Sequence, residues 1–395
     1  MTDLLQAVLV AVLVLALVPV CVLLGQVVLA ALPMPPRRTP SGPRPRLAVL
    51  VPAHNEAACI RETLDALGPQ LAAGDRLLVV ADNCSDDTAR IAGARGAQVA
   101  QRHDPARRGK GYALDFGLAC LAEDPPQVVV IVDADCRVAP GAIDRIARAC
   151  AASGRPVQAL YLMRAPRPAR VSMAIAEFAW RVRNHVRPLG MHRLGLPCQL
   201  TGSGMAVQWQ ALRSIRLASG HLVEDMQMGI DLARAGSPPL FCPQALVSSE
   251  FPRNAEGARS QRTRWEHGHL SMILGTVPAM FADRLRGRGR GLAAMALDIG
   301  VPPLALLALA VAALAGASAA FALATSATGP LRLALALAGL FALAVLLAWW
   351  RFARDLLSPA DMLLAAGYVA AKVPLYVRFL FRRQVEWVRS RRDGE

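Results

Sequence analysis

Residues 4–32 run for 29 positions without one charged side chain. About 20 apolar residues cross a bilayer, so this stretch predicts a transmembrane helix. A cleaved signal peptide would instead show an apolar region of about 7 to 15 residues behind a positive start, and Met1-Thr-Asp3 offers no such start. Residues 33–46 follow with six prolines and Arg37, Arg38, Arg44 and Arg46. That is an extended linker, and its arginines mark the cytosolic side of the membrane.

Composition agrees with a membrane setting. The 395 residues are 54% hydrophobic and 18% charged, against about 45–50% and 25% in soluble domains. Such a chain is not disordered. Its net charge of +15 rests almost entirely on arginine, since Lys110 and Lys372 are the only lysines. The arginines cluster beside apolar runs, so an anionic membrane surface is the expected partner and nucleic acid is not. Eight scattered cysteines form no CxxC pair, which argues against a zinc site and against a disulfide framework.

Between residues 46 and 250, short β-type runs alternate with helical stretches. The runs are 47–51, 77–81, 99–101, 128–132 and 157–160; the helices are 58–71, 86–96, 112–122 and 141–152. This alternation predicts a cytosolic α/β domain with a mostly parallel sheet. In residues 171–189, Val171, Ile175, Phe178, Val182, Val186 and Leu189 step by three or four, with Arg181, Arg183 and Arg187 between them. That pattern reads as a helix lying on the membrane surface, or as an ordinary core helix; residues 270–281 read the same way.

After a basic stretch, residues 301–324 and 331–350 form a transmembrane hairpin returning to Arg351 and Arg354. Residues 362–381 are interrupted by Lys372, Pro374 and Arg378, and precede a tail with Arg382, Arg383, Arg389, Arg391 and Arg392. An interfacial or re-entrant segment is expected there, giving three crossings, with four as the alternative. The organisation is then helix 1–32, linker 33–46, cytosolic α/β domain 47–270, interfacial helix and basic linker 271–291, hairpin 292–350, and interfacial segment with tail 351–395.

Ligands of α/β sheets bind in the crevice outside the carboxyl ends of the strands. Asn55 and Glu56 follow the first run, Asp82 the second, and Asp133-Ala-Asp135 the fourth. Any one of these could be a helix cap. Residues two apart on a strand point the same way, so Asp133 and Asp135 can face one Mg²⁺ or Mn²⁺ that bridges to a diphosphate. Gly109-Lys110-Gly111 opens the helix near Tyr112, where free N–H groups and a lysine could meet an anion. Neither a P-loop nor GxGxxG is present. Gly202-Ser203-Gly204 allows close backbone approach to a donor or acceptor. His267 and His269 would point to different faces of a helix, so zinc is not expected; His54 and His221 have no assigned role.

The order of these motifs resembles glycosyltransferase family 2 enzymes with a GT-A fold, above all membrane-embedded cellulose, hyaluronan and chitin-oligosaccharide synthases. The likeness covers residues 46–270. It is carried by Val51-Pro-Ala-His-Asn-Glu56, Ala81-Asp-Asn-Cys-Ser-Asp-Asp-Thr88, Asp133-Ala-Asp135, Thr201-Gly-Ser-Gly-Met205, Glu224-Asp225 and Gln261-Arg-Thr-Arg-Trp265. Val223 stands where the synthases tend to have threonine, and the membrane part is smaller than that of cellulose synthase.

The resemblance implies that Pro52, Ala53, Asn55 and Glu56 line the nucleotide pocket, with Lys110 near them, and that Asp82 holds the base. Asp133 would face the ribose and diphosphate, and Asp135 would ligate the divalent metal. Asp225, next to Glu224, would be the catalytic base. Gln261, Arg262, Arg264 and Trp265 would close the site, Arg264 near the diphosphate and Trp265 under the acceptor sugar.

Elementary chemistry fits those roles. Direct attack on an anomeric carbon needs one base, plus a cation to neutralise the departing diphosphate. A retaining double displacement needs a carboxylate nucleophile, for which the sequence offers no separate candidate. The implied protein is a multi-pass enzyme of the bacterial inner membrane that moves a sugar from a nucleotide-diphosphate sugar, uridine-linked, to a lipid-linked or polysaccharide acceptor. Export or polymerisation partners would fit that setting. The alternatives are a processive homopolymer synthase and a catalytically silent scaffold that binds nucleotide sugars.

Overall fold

The computed structural model describes residues 2–33, 42–218, 223–252, 254–289 and 291–381. His221, Arg37, Arg38 and the arginines beyond residue 381 lie outside them.

Among the described residues eight strands form one sheet: β1 (Leu47–Ala53), β2 (Arg76–Asp82), β3 (Gln98–Arg102), β4 (Val128–Ile131), β5 (Arg137–Val138), β6 (Val157–Arg164), β7 (Met205–Gln208) and β8 (Leu240–Glu250). Their order is β3-β2-β1-β4-β7-β6-β8-β5. The five expected runs all appear as strands. The β3-β2-β1-β4 half is parallel throughout, as is the β6–β8 pair. The β4–β7, β7–β6 and β8–β5 pairs are antiparallel, so the sheet is mixed.

β5, β7 and β8 were not anticipated. β5 and β7 have two and four residues, too few for a pattern. β8 contains Pro243, which cannot donate to a ladder. The chain absorbs it in a bulge, because β6 pairs with Cys242 and then next with Leu246.

Helices cover the sheet because their apolar faces need it. Ile60–Leu67 buries Ile60, Leu64 and Leu67, and Ala142–Ser153 buries Ile143, Ile146 and Cys150, all against one face of β1, β4 and β6. Lys110–Leu121 packs Leu114 and Leu121 on the other face. Gly117 is required there, since a Cβ would stand 2.5 Å from Leu50 Cδ1.

The stretch 171–193 does not lie free on a membrane surface. It forms helix Val171–Arg181, a π-helical turn Val182–Val186 and helix Arg187–Arg193. Ile175, Phe178, Val182, Val186 and Leu189 pack into one cluster with Leu13, Val20, Leu23 and Val27 of helix Thr2–Ala31. Protein, not lipid, covers the apolar stripe. Gly190 permits this crossing, because a Cβ there would overlap the Gln26 carbonyl.

Residues 270–281 belong to one long helix, Ala255–Leu285, that passes residue 270 without a break. Its Met272 and Met280 pack on helix Leu292–Ile299. Among the described residues, four helical segments are long and apolar enough to cross a membrane: Thr2–Ala31, Leu304–Thr325, Gly329–Phe352 and Pro359–Phe379. The last consists of helices Pro359–Ala370 and Val373–Phe381, interrupted at residues 371–372.

Candidate active site

A cavity of about 210 Å³ lies beyond the carboxyl ends of β1, β2 and β4. Pro52, Ala53, Glu56, Asp82, Lys110, Asp133, Asp135, Gly202, Glu224, Asp225, Gln261, Arg264 and Trp265 all line it. The structure therefore gathers thirteen of the seventeen residues singled out from the sequence. They come from elements up to about two hundred residues apart in the chain, which only the fold can join.

The glycine turn is the meeting point. Gly202 has φ +94°, and a Cβ on it would stand 3.4 Å from Asp225 Oδ2, 3.6 Å from Asp133 Oδ2 and 3.7 Å from Lys110 Nζ. Lys110 donates to the Gly202 carbonyl at 2.6 Å and pairs with Asp133. The helix opening at Lys110 thus places its cation against the carboxylate at the end of β4.

Four expected residues sit elsewhere. Asn55, at φ +55°, accepts from the Ser85 N–H at 2.7 Å and donates to the Ser85 hydroxyl, so it ties the loop after β1 to the loop after β2. A short amide side chain tolerates that left-handed backbone. Ser203 is fully buried and its hydroxyl accepts from the Asp133 N–H at 3.0 Å; it holds Asp133 rather than ligand. Gly204 is a packing glycine, where a Cβ would stand 2.8 Å from both Ala159 Cβ and Val247 Cγ2. Arg262 lies over the Tyr368 ring at 5.7 Å and lines a second, apolar cavity.

Asp82 is not a free acceptor. Arg102 Nη1 pairs with its Oδ1 at 2.6 Å, and the two side chains are 10% and 7% exposed. His54, left without a role by the sequence, lines the cavity, and its Nδ1 lies 2.7 Å from the Asp82 carbonyl. Arg102 was missed because its partner lies 20 residues away on a neighbouring strand.

Burial shifts the charges. It works to lower the Lys110 pKa, but Asp133, Glu224 and Asp225 outweigh it and hold the ammonium charged. Burial and the neighbouring Asp225 push Glu224 up to about 7. Desolvation lowers Arg264, opposed by Glu224, Asp133 and Asp225.

The donor set fits a hard divalent cation. Asp133 and Asp135 carboxylate oxygens and the Cys136 sulfur lie within 4.8 Å of one another. Burial pushes the Cys136 thiol well up, so it stays protonated and leaves two carboxylates, the kind of oxygen ligand Mg²⁺ or Mn²⁺ takes alongside phosphate. Six carboxylates and four arginine or lysine side chains line the cavity.

The aromatic wall was half foreseen. Trp265 meets Trp180 at 4.7 Å between ring centroids, and Trp180 meets Tyr161 edge-on at 5.7 Å. Trp180, Arg183, Gln261 and Trp265 line both the catalytic cavity and the apolar one. His267 and His269 diverge as expected, toward the carbonyls of Leu375 and Ile299.

A mixed sheet with carboxylates clustered beyond its parallel strand ends is the GT-A arrangement. The same fold is seen in a mannosyltransferase, PcManGT from Pyrobaculum calidifontis, solved in complex with GDP-Man and Mn²⁺. The likeness has a TM-score of 0.60 at 19% identity, over 97% of this chain and 100% of that one.

Residues 43–268 match the family described as glycosyltransferase like family 2, and the chain belongs to that family. A probable glycosyltransferase of Bacillus subtilis, YdaM, is 26% identical over 255 residues, 60% of this chain and 58% of the relative. The match therefore spans little more than half of that relative's length. Glucosyl-3-phosphoglycerate synthase of Mycobacterium tuberculosis is 38% identical over 96 residues, 22% of this chain and 28% of that protein.

Proposed function

We propose that the chain is a membrane-bound inverting glycosyltransferase that moves a sugar from a uridine-linked nucleotide-diphosphate sugar to a lipid-linked acceptor, in building a cell-surface polysaccharide. The observation that carries this reading is the shared wall. The cavity holding Asp133, Asp135, Glu224 and Asp225 meets, across Trp180, Arg183, Gln261 and Trp265, an apolar cavity of about 480 Å³ lined by Leu304, Ala308, Phe341 and Met362 of the long apolar helices. A water-soluble donor on one side and a hydrocarbon chain on the other would bring their reactive ends together there.

Asp225 takes the proton from the attacking acceptor hydroxyl, beside Glu224. Lys110 and Arg264 neutralise the charge that develops on the departing diphosphate. One base suffices for a single displacement, which inverts the anomeric centre. Asp133 and Asp135 would hold Mg²⁺ or Mn²⁺, which supplies Lewis-acid stabilisation of the leaving diphosphate. Trp265 and Trp180 offer flat apolar faces to a sugar ring.

Arginine placement supports a catalytic half on the cytosolic side of a bacterial inner membrane. Arg351 donates to the Ala31 carbonyl, Arg193 to the Pro33 carbonyl, and Arg181 pairs with Asp355 at 2.8 Å. The basic residues thus gather at the end of the bundle that meets the sheet, as the positive-inside rule requires.

The test is release of nucleoside diphosphate by the detergent-purified chain, with Mn²⁺ and a membrane-lipid extract, from a panel of nucleotide sugars, with products partitioned into organic solvent. Turnover of one donor into an organic-soluble product is expected. Turnover that yields only long water-soluble polymer would instead establish a processive synthase.

A further inference from the structure

The π-helical turn Val182–Val186 puts Arg183 and Asn184 side by side in the wall of the catalytic cavity. A π turn inserts one residue into a helix and is frequent at functional sites. Asn184 is 2% exposed, and neither its Nδ2 nor its Oδ1 has a hydrogen-bond partner. Arg183 Nε is likewise buried and unpartnered, and the guanidinium makes one weak contact, 3.5 Å to Met226 Sδ. Among the described residues no carboxylate lies within ion-pair distance of Arg183, whereas Arg187 on the same stretch has one and Arg181 two.

Unmade hydrogen bonds of this kind are costly, and a buried cation without an anion more so. Asp225, Asp298 and Glu266 act on Arg183 only from beyond ion-pair distance, so an anionic ligand head can complete these groups. Arg183 faces both cavities, while Lys110 and Arg264 face only the catalytic one. The missing anion therefore belongs where an apolar chain ends and the donor begins. Other cations stand near the apolar cavity, in Arg187, Arg262 and Lys372, against Glu266 as its one lining carboxylate among the described residues.

Resting on the lipid-acceptor reading above, we infer that Arg183 and Asn184 form a head-group site for a lipid that carries a phosphate, with the hydrocarbon chain lying in the cavity beside Leu304 and Phe341. The Arg183 fork takes phosphate oxygens. The Asn184 amide donates to another oxygen of the same head.

The experiment titrates the full-length, detergent-purified chain with hexadecyl phosphate, hexadecan-1-ol, inorganic phosphate and UDP. Tryptophan fluorescence is the readout, since Trp180 and Trp265 stand in the shared wall. Hexadecyl phosphate should bind roughly 10- to 100-fold more tightly than the alcohol, the value of a charge-assisted hydrogen bond. Inorganic phosphate alone should not compete. R183Q should erase the preference for phosphate over alcohol while lowering UDP affinity far less than hexadecyl phosphate affinity. N184L should weaken hexadecyl phosphate binding without lowering the unfolding temperature, because leucine leaves no orphaned amide, and so serves where R183Q folds poorly.

Equal affinity for phosphate and alcohol would overturn the head-group site. So would an R183Q variant that loses UDP affinity as much as phosphate preference, which would place Arg183 on the donor. A wild-type chain that binds hexadecyl phosphate preferentially but not UDP would overturn the donor assignment and leave the head-group site standing.

Discussion

The Arg187 guanidinium and the Asp298 carboxylate form an ion pair at 2.8 Å in which neither side chain is more than 7% exposed. Gln26 and Gln199 also donate to that carboxylate. One acidic group thereby joins helix Thr2–Ala31, the stretch 171–193, the segment before β7 and helix Leu292–Ile299. D298A would leave Arg187 buried and unpaired, at a cost of about 3–5 kcal/mol. Denaturant unfolding in detergent should show that loss, and a variant as stable as wild type would contradict the account.

D225N keeps the shape of the side chain and removes its basicity. Transfer should fall by about 10²–10⁴-fold, the usual contribution of a general base, while UDP affinity holds. Retained turnover would move the base to Glu224.

Glu224, raised from 4.5 to about 7, binds its proton more tightly in the folded chain than in the unfolded one. The folded state accordingly loses stability as pH climbs from about 4.5 to about 7, and the loss is complete above that. E224Q should raise the unfolding temperature at pH 8 and make no difference near pH 4. A gain equal at both pH values would show that the carboxyl is not shifted.

A chelator in excess should stop transfer, and Mn²⁺ or Mg²⁺ should restore it. D135N should need a higher metal concentration for half-maximal rate. Undiminished turnover in the chelator would remove the metal from the reaction.

G204A tests the assignment of that glycine to packing. Its φ of +70° and the two 2.8 Å approaches should cost about 1–3 kcal/mol of stability. UDP affinity of the fraction that remains folded should be unaltered; a stable variant that had lost UDP binding would return Gly204 to the ligand wall.

Strands β1, β2 and β4 were readable because each is an apolar run followed by a polar turn, as Val128–Ile131 is followed by Asp133, whereas β8, parallel to β6, carries Pro243 and a bulge. The candidate site was readable at strand ends and in motifs, where Asp133, Asp225 and Arg264 stand in a recognisable order and line one cavity. What escaped depends on distance or on helical irregularity. Arg102 reaches Asp82 across a strand pairing, and an arginine at position 183 of an amphipathic pattern looks like a solvated face. In the fold it stands in the π-helical turn 182–186 and lines the cavity. Asn55 and Ser203 lie inside true motifs but serve the loops that hold them, a distinction that spacing does not encode.

The apolar stripe of residues 171–193, covered by helix Thr2–Ala31, has a practical corollary. The catalytic half is not a portable module. Cutting the chain after residue 46 would bare Phe178, Val182, Val186 and Leu189, a contiguous greasy face of the sort that drives aggregation. Soluble expression of the sheet alone would therefore call for redesign of that face, and the natural preparation keeps helix Thr2–Ala31 in place.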